Sequence, residues 1–435
     1  MELNNKKTIN GWCMYDWANS VYSLVITSAI FPVYYEAVTI SAEKGDVINF
    51  FGIEVVNSVL YSYSLSFSFL FIAAVLPLLS GIADYSGRKK LFMKIFVYIG
   101  AFSCIGLYFF TGENIEWGII CSVLASIGYS GSLVFYDAFL PEIVTMDKFD
   151  RVSARGYAMG YIGSVILLII NLAMIMNHHF FGLASDGTAT RFAFLLVGLW
   201  WIGFSQITFN RLKDNVYDRK VTGNVLTEGY KELRKVWQSL EHLKVMKVFL
   251  WAFFFYNMGV QTIMYLATLF GSKELKLESS QLIMTILIIQ LVAIGGAYLF
   301  AHLSKKKGNK FSLQVMVFIW VGVCFGAYFV YNQYEFYVLA LIVGLVMGGI
   351  QSLSRATFAK LIPESTIDHA SYFSFYDVTY NISIVVGTFA YGFIEQLTGS
   401  MRNSTLVLMI FFMVGLGFLS YIKIPRSKPS YMDAD

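Results

Sequence analysis

The chain has 435 residues, of which 57% are hydrophobic and only 14% are charged. This composition excludes an ordinary soluble protein and predicts a membrane protein that crosses the bilayer many times. The formal net charge of +4 shows no nucleic-acid footprint, so we expect no nucleic-acid partner.

Twelve apolar segments are long enough to span a bilayer as helices. We number them helices 1 to 12 and predict them at 16–37, 58–83, 91–112, 116–140, 154–176, 191–209, 245–270, 280–302, 311–331, 336–361, 372–396 and 405–424. Several contain Gly, Ser, Tyr and Asn, which is typical of helices that pack on one another or line a cavity. The sequence therefore predicts an all-α membrane protein with twelve transmembrane helices.

A polar stretch separates these segments into two groups of six. We predict an N-terminal six-helix bundle at 1–212, a cytoplasmic central loop at 213–244 and a C-terminal six-helix bundle at 245–435. Residues 225–243 repeat apolar side chains at helical spacing, which predicts an amphipathic helix within the loop. Two interpretations of this helix stay open, because it could lie along the inner membrane surface or form a solvated linker.

The distribution of Lys and Arg predicts the orientation in the membrane. Of the 32 cations, about 27 lie on one side, at the N-terminus, at the C-terminus, or in and beside the loops that follow even-numbered helices. The other five are Lys44, Arg191, Lys273, Lys276 and Arg402. Because cytoplasmic loops carry the excess of positive charge, we expect both termini to be cytoplasmic and the protein to lie in the cell (inner) membrane.

The loop between helices 2 and 3, at 81–90, reads G-I-A-D-Y-S-G-R-K-K. Asp84 and Arg88 are four residues apart, so we expect them to pair on one helical face. Gly87 allows the backbone to turn without a Cβ penalty. These three residues are the candidate conformational latch, and the alternative is a solvated basic loop with a short salt bridge.

Charged residues near the cytoplasmic ends of the predicted helices form a second candidate site. They are Asp16, Asp137, Arg155, Arg355 and Asp377. Charges inside membrane segments are costly, so charges of both signs at similar depth predict a cytoplasmic gate that pairs when closed. The alternative is that each residue caps its own helix or meets lipid headgroups. For Asp16, a proton or substrate site is a further alternative.

Neutral polar residues inside the helices predict a pathway for a polar solute. They are Asn19, Tyr22, Tyr129, Ser132, Tyr136, Asn257, Gln261, Tyr265, Gln351 and Asn381. The alternative is that they only form hydrogen bonds between helices. No zinc-protease, serine-hydrolase or nucleotide-loop motif occurs, so we expect no enzyme activity, no catalytic residue, no cofactor and no metal site.

Asp84, Gly87, Arg88 and Lys89 resemble the D-x-x-G-R-K signature of the loop between helices 2 and 3 in the major facilitator superfamily. Ser80 stands where that signature usually has a glycine. The resemblance implies the major facilitator fold, in which two six-helix bundles work by alternating access. It also implies that the acid and the arginine hold one state closed on the cytoplasmic side.

Four further stretches resemble the vacuole-effluxer branch of this superfamily. They are Y-D-W-A-N-S at 15–20, R-G-Y-A-M-G-Y at 155–161, F-Y-N-M-G-V-Q-T-I at 255–263 and G-I-Q-S-L-S-R at 349–355. The resemblance implies a transporter whose fungal relatives are associated with amino-acid export from the vacuole. Many relatives carry an acid where this chain has Met258, which shifts a proton or cation role towards Asp16 or Asp377.

Together these features predict a monomeric secondary transporter embedded in the lipid bilayer. We expect small polar organic solutes as substrates, with amino-acid efflux as the leading hypothesis and protons as the candidate coupling ion. The alternative is a solute sensor or scaffold that keeps the transporter fold without net transport.

Overall fold

Twelve long helices form one bundle in the computed structural model, which describes residues 2–40 and 45–423. Eleven of these helices are long and apolar enough to cross a membrane. Helices 1 to 6 are Lys6–Thr39, Asn57–Ser86, Lys89–Gly106, Ile115–Asp137, Phe149–Met176 and Asp186–Arg211. Helices 7 to 12 are Lys244–Leu275, Ser279–Lys307, Asn309–Tyr328, Gln333–Leu361, His369–Thr398 and Met401–Tyr421. Lys44 and the predicted end of helix 12 at Ile424 lie outside the described residues.

Helix 11 is the long helix that falls outside these eleven, and it buries several polar side chains. It has 30 residues, and Ser371, Ser374, Asp377 and Asn381 are among those it buries. It packs against helices 2, 7 and 12, so its polar side chains face protein. The predicted helical membrane fold is therefore confirmed.

Local sequence signals explain where several helices begin and end. The Asn5 side chain accepts hydrogen bonds from the first backbone N–H groups of helix 1, and the Asn332 side chain does the same for helix 10. Gly87 and Gly399 end helices 2 and 11 with φ at +68°, a left-handed conformation that glycine adopts without strain.

Helix 1 begins at Lys6, ten residues before the predicted start at Asp16. The helix extends this far because Trp12 and Tyr15 are fully buried in the protein. The prediction missed these residues because polar neighbours interrupt the apolar pattern. Residues Tyr22–Ile30 form a π-helical stretch inside this helix. Such stretches widen the helix locally, and they occur often at functional sites.

A short β-hairpin between helices 1 and 2 was not predicted from the sequence. Strand β1, Val47–Phe50, pairs antiparallel with strand β2, Ile53–Val56. Phe51 and Gly52 connect the strands with φ of +49° and +85°, as in the two-residue turns that suit the twist of hairpins. The prediction of an all-α chain missed it because the segment is only eight strand residues long.

The first six and the last six helices meet mainly through helices 2 and 5 of the first half. Helix 2 packs on helix 11, helix 5 packs on helices 8 and 10, and helix 4 also contacts helix 11. The predicted amphipathic helix, Val225–His242, is present and lies across helix 2, where Gly81 and Gly229 allow the two backbones to touch. Its Ser239 hydroxyl lies 2.7 Å from the Tyr372 hydroxyl of helix 11. We call this element the linker helix.

One end of the bundle carries helix 1's start, the loop after helix 2 and the linker helix, and we call it the basic end. The sequence predicts that this end faces the cytoplasm. The opposite end carries the β-hairpin and is called the far end.

Candidate functional site

A cavity of about 110 Å³ lies between the first six and the last six helices. Residues of helices 1, 4 and 5 line one side, and residues of helices 7, 8, 10 and 11 line the other. Half of the predicted pathway residues lie in its wall, namely Asn19, Tyr129, Gln261, Tyr265 and Gln351. The structure therefore brings polar side chains from both halves of the chain to one space.

The other five predicted pathway residues lie outside this wall. They are Tyr22, Ser132, Tyr136, Asn257 and Asn381. Tyr136 donates from its hydroxyl to Asp16 Oδ2 at 2.8 Å, and Asn257 Nδ2 donates to the Ser383 hydroxyl at 2.6 Å. Tyr22 stacks its ring 5.0 Å from that of Tyr129. Tyr22, Tyr136 and Asn257 thus make contacts between helices, as in the alternative interpretation. Ser132 and Asn381 donate instead to backbone carbonyl oxygens of their own helices.

Arg355 of helix 10 crosses to the first half of the chain and fills the basic end of the cavity. Its Nη1 lies 3.1 Å from Asp137 Oδ1, and its Nη2 lies 3.1 Å from Asp16 Oδ2. Its Nε donates to the Ser153 hydroxyl at 2.9 Å, and Nη2 also donates to the Ser153 carbonyl oxygen. Gly156 leaves room for this cluster, because a Cβ there would overlap the Asp16 carboxylate.

Aromatic rings complete the enclosure of Arg355, which is only 1% exposed. The guanidinium carbon lies 4.7 Å from the ring centroid of Trp12 and 4.3 Å from that of Tyr157. A buried cation is tolerated only where carboxylates and hydrogen-bond acceptors surround it. The cluster therefore joins the two halves of the chain at a point where breaking it is costly.

Two of the five predicted gate residues do not belong to this cluster. Arg155 is half-buried on helix 5 and forms no ion pair within the described part of the chain. Asp377 lies in the cavity wall, but its Oδ2 atom is buried without a hydrogen-bond partner. The cluster thus consists of Asp16, Asp137 and Arg355.

Asp84 makes a second connection between the halves at the basic end. Its carboxylate accepts hydrogen bonds from the backbone N–H groups of Ala370 at 3.3 Å and Ser371 at 2.7 Å. These donors belong to the first turn of helix 11, where the helix dipole also favours a negative charge. Asp84 is 1% exposed, so this cap is shielded from water.

The expected ion pair between Asp84 and Arg88 is wrong. Gly87 takes a left-handed conformation and ends helix 2, so the four-residue spacing no longer places the two side chains on one face. Arg88 is exposed instead. Gly87 itself is held against Asn215 of the polar stretch, whose backbone N–H donates to the Gly87 carbonyl oxygen at 2.8 Å.

A third connection that sequence reasoning missed lies beside Asp84. Lys89 forms a buried ion pair with Glu142, and the same carboxylate lies 3.1 Å from His369 Nδ1 at the start of helix 11. The Pro-Glu step after helix 4 was the available signal, since an acid next to an apolar run needs a partner. Its partners are more than fifty residues away in sequence, so no spacing rule could reveal them.

A fourth connection, also missed, lies on the opposite side of the Arg355 cluster. Lys360 of helix 10 donates to Asp150 of helix 5 at 2.7 Å. The same carboxylate accepts hydrogen bonds from Ser304 and Asn309, both at 2.8 Å. Lys360 is only 5% exposed, and its place near the end of an apolar run was the signal that could have indicated a partner.

These connections close the cavity towards the basic end. Among the residues described, the side-chain hydrogen bonds and ion pairs that join the first six helices to the last six lie between the basic end and the middle of the bundle. The farthest from that end links Tyr161 to Gln351 at 2.7 Å. Such a layered set of contacts is what one closed state of a two-bundle transporter requires.

Comparisons with known proteins agree with this architecture. The model of the "Vacuole effluxer Atg22 like" family matches residues 4–431. An uncharacterized MFS-type transporter, YxiO of Bacillus subtilis, is 33% identical over 419 residues, which cover 96% of this chain and 95% of that protein. Autophagy-related protein 22 of Kluyveromyces lactis is 24% identical, with 97% and 94% covered.

Solved structures show the same fold at low sequence identity. FucP, a major facilitator transporter in the outward conformation, superposes with a TM-score of 0.70 at 11% identity and covers 97% of this chain and 98% of its own. A bacterial homologue of the iron transporter ferroportin, in an outward-facing state, gives 0.67 at 13% identity, with 95% and 98% covered. These relatives and neighbours are transporters rather than enzymes, and the chain is a multi-pass membrane protein that belongs to the Atg22-like vacuole effluxer family of the major facilitator superfamily.

Proposed function

We propose that this protein is a secondary active transporter that moves small polar organic solutes, with amino acids as the leading substrates, out of the cell by alternating access. The observation that carries the proposal is the polar cavity between the two halves, closed at the basic end by buried contacts that both halves supply. A cavity of this kind at the interface of two bundles is where such transporters bind solute.

The contacts at the basic end act as the gate and the latch of this cycle. Asp16, Asp137 and Arg355 form the gate, and Asp84 with Gly87 forms the latch on helix 11. Opening the basic end requires these pairs to separate, so they stabilise one of the two states. With the positive-inside orientation, that state is closed towards the cytoplasm.

The family supports efflux as the direction of transport, and the resemblance described in the sequence analysis implies amino acids as substrates. It is a family of vacuole effluxers, and its fungal members include autophagy-related protein 22 of Kluyveromyces lactis. For this chain, export across the cell membrane is the corresponding activity. Protons are the proposed coupling ion, because carboxylates face the cavity.

Transport from liposomes tests the proposal. Purified protein is reconstituted into vesicles loaded with a mixed amino-acid pool, and release is followed with and without an imposed pH gradient. We expect selective release by the native chain. Absence of release from folded protein for every amino acid would contradict the amino-acid assignment, and saturable binding without release would favour a sensor.

Asp84→Asn supplies the variant that tests the latch in the same assay. Loss of the charge weakens the cap on helix 11 by about 1 to 2 kcal/mol, which shifts the balance of states about 5- to 30-fold. We therefore expect slower release with normal membrane insertion. Asp147→Asn, an exposed acid in the same half of the chain, is the matched control and should release at the native rate.

A further inference from the structure

The charges that line the cavity are unbalanced. Three carboxylates, on Asp16, Asp137 and Asp377, face one guanidinium, on Arg355. If all four groups are ionised, the wall carries two negative charges more than positive ones. A cavity that excludes most water must offset such an excess with a bound cation or with protons.

Arg355 is not free to balance a ligand's carboxylate. Its Nε, Nη1 and Nη2 atoms already donate to Ser153, Asp137 and Asp16. Its guanidinium also lies between the rings of Trp12 and Tyr157. Among the described residues that line the cavity, no cationic side chain is therefore left unengaged for an acidic ligand.

Asp377 is in the opposite situation. It is 4% exposed, and its Oδ2 atom has no hydrogen-bond partner. The nearby amide of Asn381 donates to the backbone carbonyl of Asp377 rather than to the carboxylate. An ionised carboxylate in this position lacks the donor that would stabilise it.

Two other unpartnered polar atoms lie in the same wall. Gln290 Oε1 is a second acceptor without a donor, and Asn19 Nδ2 is a donor without an acceptor. A neutral amide N–H can donate a hydrogen bond to a ligand's oxygen, but it does not balance the negative charge of the carboxylates. The unsatisfied groups thus call for a ligand that donates hydrogen bonds and carries positive charge.

Tyrosine rings make up much of the remaining wall. The tyrosines that line the cavity are Tyr129, Tyr157, Tyr161, Tyr265, Tyr376 and Tyr380. The face of an aromatic ring attracts a cation, and the attraction grows when water is excluded. Arg355 over Tyr157 is an example of this interaction within the protein itself.

We propose that Asp377 is the counterion for an ammonium group, so that the cavity binds solutes that carry a primary amine and does not require them to carry a carboxylate. The proposal rests on the proposed transport function and narrows its substrate class to amines. Lysine-like solutes and simple alkylamines fit this description. A carboxylic acid without an amine does not.

Binding to four probes of similar length tests this assignment. The full chain in lipid nanodiscs is titrated at pH 7 with pentylamine, L-lysine, L-norleucine and hexanoate, and heat is recorded by calorimetry. We expect the three amine-bearing probes to bind and hexanoate not to bind. Binding of hexanoate as tight as that of pentylamine would overturn the proposal.

Substitutions at Asp377 identify the residue that holds the amine. Asp377→Asn should weaken pentylamine binding about tenfold or more, and Asp377→Glu should keep most of it. Asp147→Asn is the control and should leave binding unchanged. Native-like amine binding by Asp377→Asn would overturn the assignment, and loss of only the pH-gradient effect on transport would make Asp377 a proton site instead.

The two proposals fail in different ways. Amino-acid release from liposomes without any pentylamine binding would overturn the proposed amine site but would still support the proposed transport function. Asp377-dependent pentylamine binding without amino-acid release would support the amine site and remove amino acids as the substrate. If Asp377→Asn did not fold, the probe series on the native chain and Asp377→Glu would still decide the question.

Discussion

Arg355 carries more of the contact between the two halves than other single residues of the cluster. It is the one cation that pairs with both Asp16 and Asp137, and it is 1% exposed. Removing one partner of a buried ion pair typically costs 3 to 5 kcal/mol, because the remaining charge is left without compensation. The stability of the closed state should therefore depend on this side chain.

Arg355→Gln tests that dependence. We expect it to destabilise the closed state by about 3 to 5 kcal/mol, since two carboxylates lose their counterion. Thermal unfolding of the purified protein in detergent measures the change as a lower Tm. Arg155→Gln is the matched control, because Arg155 forms no ion pair within the described residues. Equal Tm values for the two variants would contradict the role given to Arg355.

Sequence reasoning identified several of these residues but not all of their partners. The costly charges inside apolar segments pointed to Asp16, Asp137 and Arg355, which do meet in space. Lys89 with Glu142, and Lys360 with Asp150, were missed because their partners are far apart in the chain. Asp84 was paired with the wrong residue because the break at Gly87 changes the local geometry.

Among the structural elements, the linker helix is the one whose location the structure adds to the sequence-based prediction. Its amphipathic pattern predicted a helix but left its location open. Val236 and Leu240 are buried, whereas Leu226, Tyr230 and Trp237 remain exposed. An exposed apolar stripe beside a basic face is typical of a helix at the membrane surface.

The linker helix also ties the first half of the chain to helix 11. Tyr85 at the end of helix 2 accepts from the backbone N–H groups of Thr222 and Gly223 through its hydroxyl. Lys235 and Arg219 both pair with Asp368, just before helix 11. Lys235 of the linker helix and the residues just before that helix thus contact both helix 2 and the start of helix 11, which supports the closed basic end.

Gly229→Ala tests the close packing of the linker helix against helix 2. A Cβ there would lie 2.5 Å from Ile82 Cγ1 and 2.9 Å from its backbone, so the helix must move away from helix 2. We expect faster trypsin cleavage within 213–244, because an undocked helix unfolds more often. Gly203→Ala, where a Cβ meets no atom within 4 Å, is the control. Equal cleavage rates would rule out the close approach.

Helix boundaries were predicted well where long apolar runs define them. The predicted start of helix 1 is too late in the chain, because Trp12 and Tyr15 are buried although the residues around them are polar. The hairpin was not predicted because eight strand residues around a two-residue turn give only a weak alternating pattern of apolar residues. The division into two bundles and a cytoplasmic loop at 213–244 stays a prediction.

At the scale of the whole molecule, the two halves close one end of a shared cavity. The buried contacts at the basic end are all made between side chains or helix ends that can separate without unfolding a helix. Alternating access requires that they do separate, and that the bundle has two discrete arrangements. The proposed transport therefore depends on exchange between these two arrangements.

The distance between two spin labels across the basic end measures this exchange directly. Labels at Asp147→Cys in the first half and Ser365→Cys in the second half, with Cys13, Cys104, Cys121 and Cys324 replaced by Ala, report on the opening in liposomes. We predict a short and a long distance population in the otherwise native chain, with the long one enriched by Asp84→Asn. A single short distance that neither Asp84→Asn nor Arg355→Gln changes would contradict alternating access.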